Sequence, residues 1–316
     1  MSRRVFITGG TGFVGKALVS ALRERGDHVT VLSRNKERAT AVFGAGVDVV
    51  AGDPSLGGDW QAQVSGHDAL INLAGQSIGG KRWNAQYRQI LVDSRVETTR
   101  YLVEAIGSAE SPPKVLVSAS GIDYYPFDVE IDALGIADLE DEMEVTEQDR
   151  PGDSFLARLC RKWEKEALRA REHGVRVVCM RSGVVLGDDG PLAQIARPFK
   201  MLVGGRLSNG RQWFSWIHMD DAVAGYLFAL DTNDLNGPVN LVAPTPVRNR
   251  EFTRALASAL RRPAIAPVPA FALRLAVGEF HEYLINGRRA IPAALSQAGF
   301  AFRYPEIAGA LTAIYA

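Results

Sequence analysis

Apolar positions in the first half of the chain fall alternately into short continuous runs and into helical spacing. Arg4-Val5-Phe6-Ile7 reads as a buried strand, and Lys16 to Leu22 as one apolar face of a helix. Asp27 to Leu32 predicts a second strand, Asn35 to Val42 a short helix, Val47 to Val50 a third strand and Ala69 to Leu73 a fourth. The long helical stretch Tyr87 to Ile106 is followed by the breaker Ser111-Pro112-Pro113, and then by Lys114 to Ser118 as strand five. Asp153 to Arg171, capped by Asp153 or Ser154, leads into Val175 to Arg181 as strand six, with Cys179 expected in the core. Such alternation implies an α/β fold, a Rossmann-type doubly wound parallel sheet. From Ser182 the pattern changes. Ala222 to Leu230 is helical, and 249–316 holds helices interrupted by Pro263, Pro267, Pro269 and Pro292. The expected division is a domain at 1–180, which also receives part of 215–245, and a smaller, mostly helical C-terminal substrate region at 181–316.

Between the first strand and helix stands ITGGTGFVG, residues 7–15. Gly9, Gly12 and Gly15 are three apart: the first suits a tight turn, the second a close approach of phosphate, the third helix-on-strand contact. With a second strand ending about 20 residues on, this is the context of a dinucleotide site, the pyrophosphate resting on free N–H groups at the helix start. Gly9, Thr11, Gly12, Phe13, Val14 and Gly15 are its expected contacts; a purely structural turn is the alternative. Ser33 and Arg34, with Arg38 one turn further, occupy the place where an acid would bind a ribose 2'-hydroxyl. A hydroxyl and a guanidinium suit a 2'-phosphate, so the expected cofactor is NADP(H); solvated helix charge is the other reading of both arginines. Asp53 is placed either on the adenine amino group or in turn chemistry. Asn72, Ala74 and Gly75 where strand four ends, and Ser118 at the end of strand five, complete the cofactor set.

Lys plus Arg and Asp plus Glu number 36 each, so net charge gives no argument for nucleic acid or membrane as partner. Two cysteines, Cys160 and Cys179, without ligand spacing predict neither a disulfide framework nor a metal. No apolar run reaches the roughly 18 residues of a membrane span, and the expected location is cytoplasmic.

The glycine motif, Asn72-Leu73-Ala74-Gly75, and Ser120 with Tyr124 in Ser-x-x-x-Tyr spacing resemble the extended short-chain dehydrogenases/reductases. Further segments resemble the branch of epimerase-family proteins with a C-terminal domain of uncertain function. These are Lys81-Arg82-Trp83, Asp93-Ser94-Arg95, Trp163-Glu164, Arg181 to Gly187, Phe214 to His218, Arg262-Pro263, Gly278-Glu279 and Gly299-Phe300-Ala301-Phe302. The resemblance implies hydride transfer on a small molecule by a monomer or homodimer. It also implies a Tyr-x-x-x-Lys pair, in which lysine and cofactor lower a tyrosine pKa from about 10. This chain has none: Leu156 and Cys160 fill the dyad positions if Glu164 marks the helix register, Arg158 and Lys162 if Glu166 does. Phe214 replaces the arginine that grips the diphosphate in nucleotide-sugar enzymes, which argues against such a substrate.

What remains for catalysis is Ser120, to polarise a carbonyl or hydroxyl, and Tyr124 or Tyr125 as acid/base; the tyrosines are otherwise pocket walls. Lys81, Arg82 and Trp83 at the sheet's carboxyl edge, with Arg211 and Trp213, form the expected substrate surface, or else solvated charge and core. His218 is expected to be a structural histidine. A non-catalytic NADP(H) sensor with a regulatory partner is the competing function.

Overall fold

Val5, Phe6 and Ile7 are buried on both faces of the first strand, which explains their continuous rather than alternating apolar pattern. The computed structural model describes residues 2–127, 144–265 and 267–316. Among these, seven strands form one parallel sheet: β1 (Arg4–Thr8), β2 (His28–Ser33), β3 (Asp48–Ala51), β4 (Ala69–Asn72), β5 (Val115–Gly121), β6 (Arg176–Ser182) and β7 (Gly237–Leu241). Their order is β7-β6-β5-β4-β1-β2-β3. Ile7 pairs with Val31 on one side and Ile71 on the other. The strand order reverses between β1 and β4, so the crevice at their carboxyl ends is the place where an open sheet of this kind takes a ligand.

Helices α1 (Phe13–Glu24), α2 (Lys36–Phe43), α3 (Ala85–Ser108), α4 (Phe155–Leu168), α5 (Gly190–Lys200) and α6 (Met219–Asp231) follow the strands. Leu18, Val19 and Leu22 of α1 join Val223 and Tyr226 of α6 on one face of the sheet. Leu102 and Ile106 of α3 and Ala167 of α4 cover the other. α1 starts at Phe13, three residues before the apolar spacing that revealed it, because the glycine turn passes directly into the helix. α3 starts at Ala85 on the Asn84 side chain, which accepts from the Tyr87 N–H. Of the two caps expected for α4, Ser154 is the one that bonds, accepting from the Ala157 N–H.

Past β6, the chain builds a smaller cluster around Leu186, Phe199, Trp216, Phe252 and Leu311, to which α7 (Asn249–Leu260) and the helix Ile307–Tyr315 contribute; α8 (Ala270–Val277) and α9 (His281–Ile285) lie outside it. α6 and β7 lie on the large sheet instead. Of the acidic stretch read as a surface loop at 127–150, residues 128–143 lie outside the described residues, and Glu144–Val145 pairs in parallel with Arg289–Ala290. No described helix is long and apolar enough to cross a membrane.

Two buried histidines make stability depend on pH. His218 caps α6: its Nδ1 accepts from the Asp220 N–H at 3.1 Å and its ring lies 3.9 Å from that of Tyr304. His67 turns Nε2 to the Thr30 hydroxyl at 3.0 Å and Nδ1 to the Val64 carbonyl at 3.3 Å. Burial lowers both pKa values from the ordinary 6.5, outweighing the Asp220 and Asp221 charges at His218 and the Val64 carbonyl at His67. Between the lowered values and 6.5 the unfolded chain binds more protons than the folded one. Stability is therefore complete above 6.5 and declines as pH falls through the folded values. Urea titrations from neutral to mildly acidic pH should show this decline, and it should flatten in His67→Gln/His218→Asn; an unchanged slope in that variant refutes the assignment.

Candidate active site and cofactor cleft

At the crevice, Gly9 is in the left-handed region at φ +72°, and a Cβ there would lie 2.6 Å from the Leu73 carbonyl carbon. The glycine turn thus rests directly on the backbone after β4, beside the buried Ala74. A Cβ on Gly15 would lie 2.3 Å from the Gly9 oxygen, while one on Gly12 would meet only that oxygen, at 3.1 Å. No side chain caps α1 and its first turn holds no acid. An uncapped helix start beneath exposed Thr11 and Gly12 has the donors and the room for a pyrophosphate. Val14 is half-buried, and the Phe13 ring lies under Gly187 and Gly190, where added Cβ atoms would come within 3.0 and 2.8 Å of it.

At the end of β2, Arg34 and Arg38 are exposed, and Ser33 is engaged in its own turn, its hydroxyl accepting from the Asn35 N–H. Asp53 is likewise in a turn, accepting at Oδ1 from the Ser55 N–H and hydroxyl. Asn72 and Ser118, both named in the cofactor set, have buried side chains. Asn72 is fully buried, accepting from Thr8 and donating to Thr99 and Ser118, so it ties β4 to β1, α3 and β5. Gly75 is exposed, with the buried Arg95 guanidinium directly behind it. Arg95 donates to the carbonyls of Leu91 and Gln76, and thereby fixes the loop after β4.

Ser120 closes β5, and Tyr124 and Tyr125 lie in the turn after it. The Ser120 hydroxyl donates to Glu164 Oε1 at 2.6 Å. Glu164 in turn takes two bonds from Arg181, Nε to Oε1 at 2.8 Å and Nη2 to Oε2 at 2.7 Å. Arg181 Nη1 donates to the Tyr125 hydroxyl at 2.9 Å, and Tyr125 donates onward to Asn240 Oδ1 at 2.6 Å. Because a guanidinium only donates, every proton direction in this chain is fixed. Burial by itself would loosen the Arg181 proton, but the hydrogen bond and charge of Glu164 more than reverse that. The Arg181 Cζ stands 3.4 Å from the centre of the half-buried Tyr124 ring, a cation held against a π face.

This arrangement corrects the pairing of the two tyrosines. Tyr125 is completely buried, its hydroxyl is bonded to Arg181 and Asn240 inside the protein and burial raises its pKa, so of the two tyrosines Tyr124 is the one open to a substrate. The helix register is also settled. Leu156, Cys160 and Glu164 face inward, whereas Arg158 and Lys162 are exposed. Burial, with the charges of Asp123 and Glu164, pushes the Cys160 thiol up to about 12.

The expected substrate surface divides. Lys81 and Arg82 are exposed, but Trp83 is core: its N–H donates to the Ile78 carbonyl and its ring contacts Phe155, Phe280 and Tyr283. A cavity of about 630 Å³ lies between Arg82, Asn84 and the segment Arg274, Gly278, His281 and Glu282. Arg211 is exposed, and Trp213 lies against the guanidinium groups of Arg248 and Arg289, at 3.7 and 5.1 Å. Glu164 and Arg181 were not expected as site residues. Their signal was in the sequence: an acid on the inward face of an amphipathic helix and an arginine ending an apolar strand.

A glycine turn on the switch point of a parallel sheet, with Ser-x-x-x-Tyr at the next strand end, defines a Rossmann protein of the epimerase class. The chain belongs to the NAD dependent epimerase/dehydratase family, whose model matches residues 5–242, and a domain of unknown function (DUF1731) matches 268–314. It is 38% identical over 310 residues to the epimerase family protein ML0860 of Mycobacterium leprae, covering 98% of this chain and 94% of that one. It is also 38% identical to the chloroplastic epimerase family protein SDR39U1 homolog of Arabidopsis thaliana, covering 98% and 86%. The crystal structure of human epimerase family protein SDR39U1 with NADPH superposes with a TM-score of 0.83, at 34% identity over 99% of both chains.

Proposed function

We propose that this chain is an NADP(H)-dependent, epimerase-type oxidoreductase acting on a small molecule. The observation that carries this reading is the pair Ser120 and Tyr124, held at the carboxyl end of β5 by the buried Glu164–Arg181 ion pair. The NADPH-bound relative, the uncapped start of α1 and the exposed Arg34 and Arg38 support the cofactor. When bound, the nicotinamide exchanges hydride with substrate carbon. Tyr124 handles the proton, and Arg181 keeps a fixed positive charge against its ring. The Ser120 hydroxyl donates its one hydrogen bond to Glu164, so Oγ offers lone pairs and orients a substrate hydroxyl rather than a bare carbonyl. Phe214 stacks on Phe252 at 4.1 Å within the small cluster, which speaks against a diphosphate-bearing substrate.

A second reading, a non-catalytic NADP(H) sensor, is favoured by the buried Leu156 and Cys160 at the dyad positions. Titration with NADPH and NADH, repeated on Arg34→Ala, tests the cofactor: preference for NADPH should collapse in the variant, and equal weak binding of both sinks the assignment. A panel of alcohols with NADP+ reduction, and of the corresponding carbonyl compounds with NADPH consumption, as readouts tests the chemistry, and Tyr124→Phe should lower any turnover about 10²–10⁴-fold. Inactivity across the panel, combined with NADPH-dependent capture of a protein partner, decides for the sensor.

A further inference from the structure

Of the nine large apolar residues most exposed among the described ones, six belong to two short stretches: Met201, Leu202 and Val203 after α5, and Ile265, Phe271 and Leu275 in and before α8. Phe271 and Leu275 are 75% and 77% exposed, and no residue of α8 is buried. Backbone bonds lace the two stretches together. The Ile265 N–H donates to the Gly204 carbonyl at 3.1 Å, the Val268 N–H to Arg206 at 2.8 Å, and the Ser208 N–H to Val268 at 2.9 Å. Leu202 is held at φ +62°, a conformation that a leucine side chain disfavours, so this exposure is built into the turn.

Along the two segments that carry this ribbon the charge has one sign, and Glu279 and Glu282, which share a cavity with Arg274, mark its edge. Residues 190–219 hold four Lys and Arg and no Asp or Glu, and residues 252–278 again hold four and none. The chain as a whole is balanced at 36 of each, so the neutral total conceals a basic face. Lys200, Arg261, Arg262 and Arg274 are all exposed there.

We propose that this face docks peripherally on an anionic lipid bilayer. A bilayer asks for projecting apolar side chains and one sign of surrounding charge, and takes them without a matching shape. A folded protein partner would have to match both the shape of this face and its positive charge. The apolar side chains enter the headgroup boundary, while the guanidinium and ammonium groups stay at the phosphates.

The test is flotation of the full chain with vesicles of phosphatidylcholine alone or with about a third phosphatidylserine. The chain should float with the anionic vesicles only, and release at about 1 M salt, where screening is nearly complete. Phe271→Ser/Leu275→Ser and Arg261→Glu/Arg262→Glu should each weaken flotation about tenfold. Both pairs are exposed and neither belongs to the glycine turn or the strand ends that form the cofactor cleft, so NADPH binding serves as the check that the variants fold. Absence of flotation with folded protein, equal flotation with neutral vesicles, or variants that float like the parent overturns the proposal. So does a concentration-dependent dimer abolished by Phe271→Ser/Leu275→Ser without vesicle binding, which would make this face a contact between copies.

Discussion

Glu164→Ala is expected to destabilise the fold by about 3–5 kcal/mol, because it leaves a buried guanidinium without its counter-charge. Both partners are almost wholly enclosed, with side chains 3% and 7% exposed, so solvent does not screen the pair. The effect should exceed that of Ser120→Ala, which removes one neutral donor and leaves the ion pair intact, at about 0.5–1.5 kcal/mol. Chemical denaturation of the two variants checks the order. A Glu164→Ala loss no larger than that of Ser120→Ala would mean that Arg181 finds another partner, and that the network does not hold the site. Replacing both ionic partners together, Glu164→Leu/Arg181→Met, should recover part of the stability but free Ser120 and Tyr125 from their fixed hydrogen-bond directions. Stability and NADPH-dependent chemistry should then separate, which distinguishes a positioning role from simple support of the fold.

Gly15→Ala should have the second large effect, on both stability and cofactor. The added Cβ would lie 2.3 Å from the Gly9 oxygen and 2.6 Å from that of Gly10, and both obstacles are backbone. No side-chain rotation relieves them, so α1 must move away from the glycine turn. A stability loss at or above the usual 1–3 kcal/mol of overpacking is expected. NADPH affinity should fall about 100-fold or more, since the helix start and the turn no longer present their N–H groups to one phosphate. Gly26→Ala, where no atom lies within 4 Å, should act through its φ of +85° alone and leave NADPH affinity unchanged. Equal losses of affinity in both variants would show that the turn geometry does not hold the cofactor.

Much of the fold was legible in the sequence because its determinants are local. The runs at Val5 to Ile7 and Leu70 to Ile71 are apolar on both faces since helices cover both sides of a parallel sheet. The apolar spacing of α4, from Leu156 through Leu159, Cys160 and Trp163 to Ala167, is that of a helix buried along one stripe. Side-chain direction was not legible in the sequence. Trp83, placed on the expected substrate surface, turns into the cluster beneath it, and the side chain of Asn72, named for the cofactor, turns inward to join strands. Strand ends allow either direction, and only the neighbouring elements select one.

The sequence by itself determined the order of the first six sheet strands and the helices between them, but not β7 or α5, together with the glycine turn between β1 and α1 and the absence of the usual Tyr-x-x-x-Lys pair. These depend on propensity, period and steric room within a few residues. The tertiary structure decided which tyrosine is open, which helix register faces the site and where the Ser120 proton points. Ser120 lies 44 residues from Glu164, Glu164 lies 17 from Arg181, and Tyr125 lies 115 from Asn240. No local pattern links such partners; folding of α4, β6 and β7 against β5 brings them into one enclosed space, where an arginine that can only donate sets the direction of every bond.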